Sequence, residues 1–352
     1  MKKILLLAGL LAAAITMFAQ EAPSHDKEKG KVIFSGYAEA YYSYDLNKPA
    51  DHTGPGFLYN FNRHNELNIN LAMLKAVYTS DRVRANVALM AGTYPQYNLA
   101  AEPTLMQYVY EANVGIRIAG NVWVDAGVLP SHIGFESAIG KDCPTLTRSI
   151  PAENSPYYET GAKVTWTPGS KWLLAVMYLN GWQRIKKADG NQTPSFGTQV
   201  IFKPTSAISL NWSTYIGNDL PDSTRQMRYF NDVYGTFGLT GKLSFIAGFD
   251  YGLQQKAKGS NDFNSWYSPI LIARYAFTSK LAMAARVEHF NDQHGVIVNT
   301  GTPDGFQITG YSLNLDVTPV DNVMLRLEGR MFDGKDNISA KGKITASLAV
   351  WF

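Results

Sequence analysis

Apolar side chains in this chain recur at every second position, segment after segment, from residue 32 to the end. In "VIFSGYAEAYYSYDL", Val32, Phe34, Gly36, Ala38, Ala40, Tyr42 and Tyr44 share one face, and Ser35, Tyr37, Glu39, Tyr41, Ser43 and Asp45 share the other. Leu67, Ile69, Leu71 and Met73 oppose Glu66, Asn68 and Asn70. Val83, Ala85, Val87 and Leu89 oppose Arg82, Arg84 and Asn86. Met106, Tyr108, Tyr110, Ala112, Val114, Ile116 and Ile118 oppose Gln107, Glu111, Asn113 and Arg117. The same holds for Val323, Leu325, Leu327 and Met331 against Arg326, Glu328 and Arg330. These polar faces carry far more charge than a packed core holds, which argues against a soluble β-sandwich or β-helix. After the first twenty residues no 18-residue apolar run and no sustained 3.6-residue period appears, so membrane-spanning helices are not expected.

Each segment is long enough for a tilted strand to cross a bilayer. Short turns fall near residues 80, 119, 168, 203, 240, 278 and 318. Longer polar loops fall near 46–64, 93–104, 130–155, 183–194, 218–226, 255–265, 291–305 and 333–340. Joined alternately, they connect sixteen strands. The expected fold is therefore all-β: a transmembrane antiparallel up-and-down β-barrel of about sixteen strands, with short periplasmic turns and longer extracellular loops. The final segment, "KITASLAVWF", would leave a bare hydrophobic edge in a soluble sheet. In a closed barrel it pairs with the first strand instead. Strand-end aromatics such as Trp166, Trp172, Tyr178, Phe277 and Phe352 suit interfacial girdles.

The start reads as a secretory signal. Lys2 and Lys3 precede an apolar stretch ending near Phe18, then small residues, which predicts a signal peptide over 1–19 and a short periplasmic lead over 20–31, before the barrel of 32–352. The apolar stretch is short for a membrane anchor. Cys143 is the one cysteine, so no internal disulfide forms. Without Lys2 and Lys3, 30 basic residues face 29 acidic ones, and this balance gives no case for a nucleic-acid partner.

Sixteen strands enclose a water-filled lumen rather than a packed core. The lead is too short for a plug domain, which argues against a TonB-dependent transporter and, less strongly, against a fatty-acid channel with an N-terminal hatch. The longest loop, "PSHIGFESAIGKDCPTLTRSIPAENSP", is expected to fold inward and narrow the pore; the alternative is an external lid. Alternation assigns Glu39, Arg84, Glu111, Arg117, Asp125, Arg286, Glu288, Arg326, Glu328, Arg330 and Lys343 to the pore lining. Arg286, Arg326, Arg330 and Lys343 are expected to form a basic wall facing the loop's acids across the channel, with a mild anion preference steered by Arg326 and Arg330; the alternative is that these arginines pair with Glu288 and Glu328 in a neutral brace.

Other motifs carry little. "GRMFDGKD" has P-loop spacing, but Asp336 stands where Ser or Thr is needed and a strand precedes a loop there. His289, Asp292 and His294 in "HFNDQHG" read as loop solvation rather than metal ligands. The six histidines form no recognisable set with a serine and an acid.

The run "DAGVLPSHIGFES…TLTRSIPAENSPYYETGAKVTW" and the later "YLNGW" resemble the Bacteroidota outer-membrane porins of the OmpL-like β-barrel porin-2 family. The resemblance spans about Val32 to Phe352. It implies an outer-membrane pore for small hydrophilic solutes or ions, with no catalytic residue and no cofactor. Gly134, Glu136 and Arg148 match the positions expected at a constriction. The terminal Phe352 resembles the tail read by the outer-membrane assembly machinery, and outer-membrane lipid surrounds the wall. A homo-oligomer is left open. A surface adhesin or structural barrel, and a membrane-embedded lipid hydrolase, are the other functions weighed; modest loops favour transport.

Overall fold

The structure, a computed structural model, describes residues 30–335 and 341–352. The expected signal peptide and most of the lead lie outside the described residues, as does part of the last long loop. Sixteen strands follow in order: β1 (Lys31–Asp45), β2 (Leu67–Thr79), β3 (Val83–Ala91), β4 (Val109–Ala119), β5 (Val122–Pro130), β6 (Tyr158–Trp166), β7 (Trp172–Leu179) and β8 (Ser195–Thr205). The second half comprises β9 (Ile208–Gly217), β10 (Arg228–Gly238), β11 (Leu243–Gln255), β12 (Phe263–Ala276), β13 (Leu281–Asp292), β14 (Phe306–Val317), β15 (Val323–Gly334) and β16 (Gly342–Trp351). Each pairs antiparallel with its sequence neighbours, and β16 pairs with β1 to close the barrel. Two short helices lie in the loops, α1 (Thr93–Asn98) and α2 (Ile150–Glu153).

Closure answers the question posed by the final segment. Tyr37 to Asp45 register against Trp351 to Lys343, and beyond them the backbones of Gly36 and Phe352 exchange two hydrogen bonds of 3.1 Å. Every peptide of the last strand thus has a partner where the bilayer offers none.

The alternation sets the two faces. Leu67, Val87, Ile116 and Leu327 point outward with half or more of their surface exposed, while Glu39, Glu111, Arg326 and Arg330 are buried inside. Arg117 also points inward and is half-buried. The expected register fails at two places: a bulge opposite Ala88 and Leu89 skips Tyr110 on β4, which packs inside the barrel rather than facing lipid, and β2 changes phase. A bulge between Glu39 and Ala40 of β1 skips Asn70 on β2, so the strand changes phase there. Leu71 and Met73, expected to face lipid, are buried inside instead, and Lys75 follows them into the lumen. Met106 and Tyr108 belong to a 3-10 turn ahead of β4 rather than to a strand.

The lipid face generates a prediction. Arginine at Val87 or Leu327 should cost about 2–4 kcal/mol near the bilayer midplane and block assembly. Arginine at the inward Asn86 should be tolerated. Heat-modifiable gel mobility checks both; equal tolerance on the two faces would count against the assignment.

Candidate functional site

Four of the long loops turn into the barrel rather than away from it. Phe57 and Leu58 of the first loop, Ile133 and Ile150 of the third, and Val296, Ile297 and Val298 of the seventh pack against inward residues of β7, β9, β10 and β12–β14. Tyr94 on α1 and Leu99, both of the second loop, pack with Tyr37, Leu71, Met73 and Met90. The upper lumen is therefore an apolar core in which loop residues pack onto inward-facing wall residues.

The third loop, 131–157, runs along the wall from β6 to β1. At its root, the two ring nitrogens of His132 lie 2.8 Å from Glu159 Oε2 and 2.8 Å from the Thr214 carbonyl oxygen. Gly134, at φ 79°, adopts a left-handed turn that favours glycine. Its N–H donates to Asp232 Oδ2 at 3.0 Å, tying the loop to β10. At the tip, Gly140 lies against the Glu39 carboxylate so closely that a Cβ would collide with it. The Gly140 carbonyl accepts from Arg326 Nη1 at 2.7 Å, and the Cys143 carbonyl from Nη2 at 3.1 Å.

The returning half meets a block of charge on β13–β16. Arg286 lies 3.0 Å from Glu288 and 3.1 Å from Glu328, and Arg330 lies 2.7 Å from Glu288. Arg326 pairs with Asp316 at 2.7 Å. The loop backbone completes these groups. Ile150 N–H donates to Glu288 at 2.6 Å, the Thr147 hydroxyl donates to Glu328 at 2.8 Å, and the Thr147 and Arg148 carbonyls accept from Arg286 at 2.6 Å and Arg330 at 2.9 Å. Lys343 Nζ donates to the Phe61 carbonyl at 3.0 Å, adding the first loop.

Of the two arrangements expected for these charges, the brace is found for Arg286 and Arg330 on Glu288 and Glu328, while Arg326 pairs with Asp316 instead and Lys343 with a backbone carbonyl. Glu39, Arg286, Glu288, Arg326, Glu328, Arg330 and Lys343 all face inward, yet none exposes more than 3% of its surface. The loop does not stand across a channel from this wall. It lies on it, with Glu136 3.9 Å from Arg286. A basic wall open to passing ions is thereby overturned, because ions do not reach these side chains. Glu136 and Arg148 organise the loop itself. Glu136 accepts from the Ser149 N–H at 3.1 Å and from its hydroxyl, and Ser149 caps α2. Arg148, with 0% exposure, donates to the carbonyls of Ser137, Leu146 and Ala138.

The inward charges that keep contact with water lie elsewhere. Arg84 pairs with Asp125, Lys75 pairs with Glu111 at 2.6 Å, and Lys163 and Arg117 are half-buried on β6 and β4. Lys75 escaped sequence reasoning because of the β2 phase change. Lys163 was legible from the alternation of "GAKVTW". At the other end, Tyr59, Tyr97, Trp182, Arg228 and Glu153 line a cavity of about 300 Å³. The rejected His289 and Asp292 are separately engaged. His289 contacts Thr309 at 2.9 Å, and Asp292 accepts from the N–H groups of Val296, Ile297 and Val298.

Residues 31–350 match the family model described as "Putative beta-barrel porin-2, OmpL-like". The chain belongs to this family. It is an outer-membrane porin, and its fold is that of other outer-membrane channels. It superposes on the channel DcaP of Acinetobacter baumannii with a TM-score of 0.63 at 13% identity, covering 94% of this chain and 100% of that one. The anion-selective porin from Comamonas acidovorans gives 0.62 at 10% identity over 92% and 100%. The trimer form of OmpT from Vibrio cholerae gives 0.63 at 10% identity over 92% and 100%. No curated protein matches the chain.

Two predictions arise here. Arg326→Gln with Arg330→Gln leaves Asp316 and Glu288 short of partners in a water-excluded site, where breaking a buried pair costs about 3–5 kcal/mol. The porin should then unfold at lower temperature while its reversal potential in bilayers stays put; a shift toward cation preference would restore the open basic wall. Glu153 gives a pH dependence. Its buried carboxyl accepts from the N–H groups of Tyr59 and Asn60, and burial pushes it up to about 7. A raised carboxyl favours the neutral form, so its contribution to stability is full below the unfolded value of about 4.3 and is lost as pH rises through about 7. Between pH 5 and 8 the wild type should lose on the order of 3 kcal/mol relative to Glu153→Gln. Paired thermal melts across that range check this, and parallel curves would refute it.

Proposed function

We propose that this porin passes small hydrophilic solutes and ions by passive diffusion, through a water-filled path narrowed by the third loop. The observation that carries the reading is the loop's attachment: it is bonded along its length to wall strands from β6 to β1 and so occupies cross-section inside the barrel. Gly134, Glu136 and Arg148 act in this reading by shaping the constricting loop rather than by touching solute. Polar side chains on β2–β6 line the path below it, and the aromatic cavity forms the outer vestibule.

Transport fits better than adhesion, because the first, second, third and seventh loops spend their apolar residues inside the barrel. Catalysis fits poorly. His132 has both ring nitrogens engaged, by Glu159 and by a backbone carbonyl, and neither partner is a nucleophile. The likeness of the loop motif to Bacteroidota porins supports an origin in that group in this reading. Phe352, 72% exposed at the short-turn end of the barrel, suits recognition by the assembly machinery, and the outward aromatics suit a lipid belt. A trimer like that of OmpT from Vibrio cholerae is compatible with the closed barrel.

In planar bilayers the purified porin should give stepwise currents, and loaded liposomes should swell in small sugars but not in large ones. Insertion without current, or release of fatty acid from phospholipid, would overturn the reading.

A further inference from the structure

The brace takes Arg286, Arg326 and Arg330 out of reach of ions, so any charge preference must come from the wall that water still touches. Arg84, Gly115, Asp125 and Lys163 stand directly opposite one another on β3, β4, β5 and β6. Partners in register share a face, so these four positions form one inward row near the short turns. Arg84 reaches across β4 to Asp125, with Nε 2.6 Å from Oδ1 and Nη2 on Oδ2. Glycine at 115 permits the crossing, because a Cβ there would collide with the Asp125 carboxylate and crowd the Arg84 side chain. Arg84 also lies over the Trp123 ring, 4.3 Å from its centroid.

This pairing neutralises Asp125 and leaves its neighbours uncompensated. Lys163, next in register, makes no hydrogen bond or ion pair among the described residues, and neither does the side chain of Arg117, two positions nearer the turn on β4. The other acids nearest this wall have partners of their own: Glu111 on Lys75, Glu159 on His132, and Asp316 on Arg274 and Arg326. Three cations thus share one carboxylate. The exposed short turns add the same sign, with Arg82, Lys171, Lys242 and Lys280 against Asp81 and Asp321. Fixed charge of one sign in a low-dielectric passage concentrates counter-ions and sets the preference of the pore.

We propose that Lys163 and Arg117, set beside the neutral Arg84–Asp125 pair, are the selectivity determinant of this porin and make it prefer small anions, such as chloride, phosphate and short carboxylates. The inference rests on the channel reading above and names the charge class of its solutes. Neither side chain holds the fold together, so both can be changed without breaking the brace.

The test is the reversal potential in planar bilayers under a potassium chloride gradient, for the wild type, Arg117→Gln with Lys163→Gln, and Arg117→Glu with Lys163→Glu. Heat-modifiable mobility confirms that each is folded. The wild type should prefer chloride. The glutamine pair should lower the chloride-to-potassium permeability ratio by about fivefold, the scale of one contact-distance attraction in water. The glutamate pair should prefer potassium. If the glutamate pair fails to fold, the glutamine pair alone decides. A wild type that prefers cations, or a glutamine pair that conducts with an unmoved reversal potential, overturns the assignment while leaving the channel intact. A wild type that inserts and passes no current overturns the channel reading itself, and this inference with it.

Discussion

A peptide group facing hydrocarbon has no water to bond with, and each one left unpaired costs several kcal/mol. That constraint forces the sheet to close, and closure at sixteen strands creates a second problem. The ring is too wide for its own side chains to fill. Loops are the available material, and here several of them turn inward. Phe57, Leu58 and Phe61 of the first loop do inside the barrel what core residues do in a soluble domain.

Filling the lumen brings a further requirement. Wall positions that would face water in an open barrel become buried when a loop lies on them, and buried charge must be matched. The rows of β13–β16 meet this by alternation. Glu288 and Glu328 flank Arg286 and Arg330, and backbone groups of the third loop take up part of the hydrogen-bonding capacity left over, while Arg286 Nε and Arg330 Nε make no hydrogen bond. The loop and the wall are therefore complementary, and neither is satisfied without the other. Water still reaches the opposite wall, β2–β6, where the ion pairs step over a small residue: Arg84 to Asp125 across Gly115, and Lys75 to Glu111 across Ala88.

The period of two was enough to read the barrel, its strand count and which face of β1, β15 and most of β4 meets lipid, because those properties repeat every second residue. It missed Lys75, since one bulged residue at Asn70 reverses the phase of everything after it on β2. It recovered the inward direction of Arg286, Glu288, Arg326, Glu328 and Arg330 but not their burial. That depends on contacts such as Thr147 to Glu328, 181 residues apart, which no local pattern encodes. The inward course of the first loop was signalled, since "GFLYNF" is too apolar for an exposed loop, and the cue lay in composition rather than in period.

The constriction depends on the third loop being locked inside the barrel, and the chain carries its own probe of that. Cys143, the one cysteine in the sequence, sits near the loop tip with 5% of its surface exposed, its carbonyl held by Arg326 and its thiol donating to the Ser137 carbonyl. The rate at which a membrane-impermeant maleimide labels the folded porin is the direct measurement. Cys143 should resist labelling in the folded barrel and react fully once the barrel is heat-denatured. Rapid labelling of the folded form would place the loop outside, as a lid, and would contradict the account.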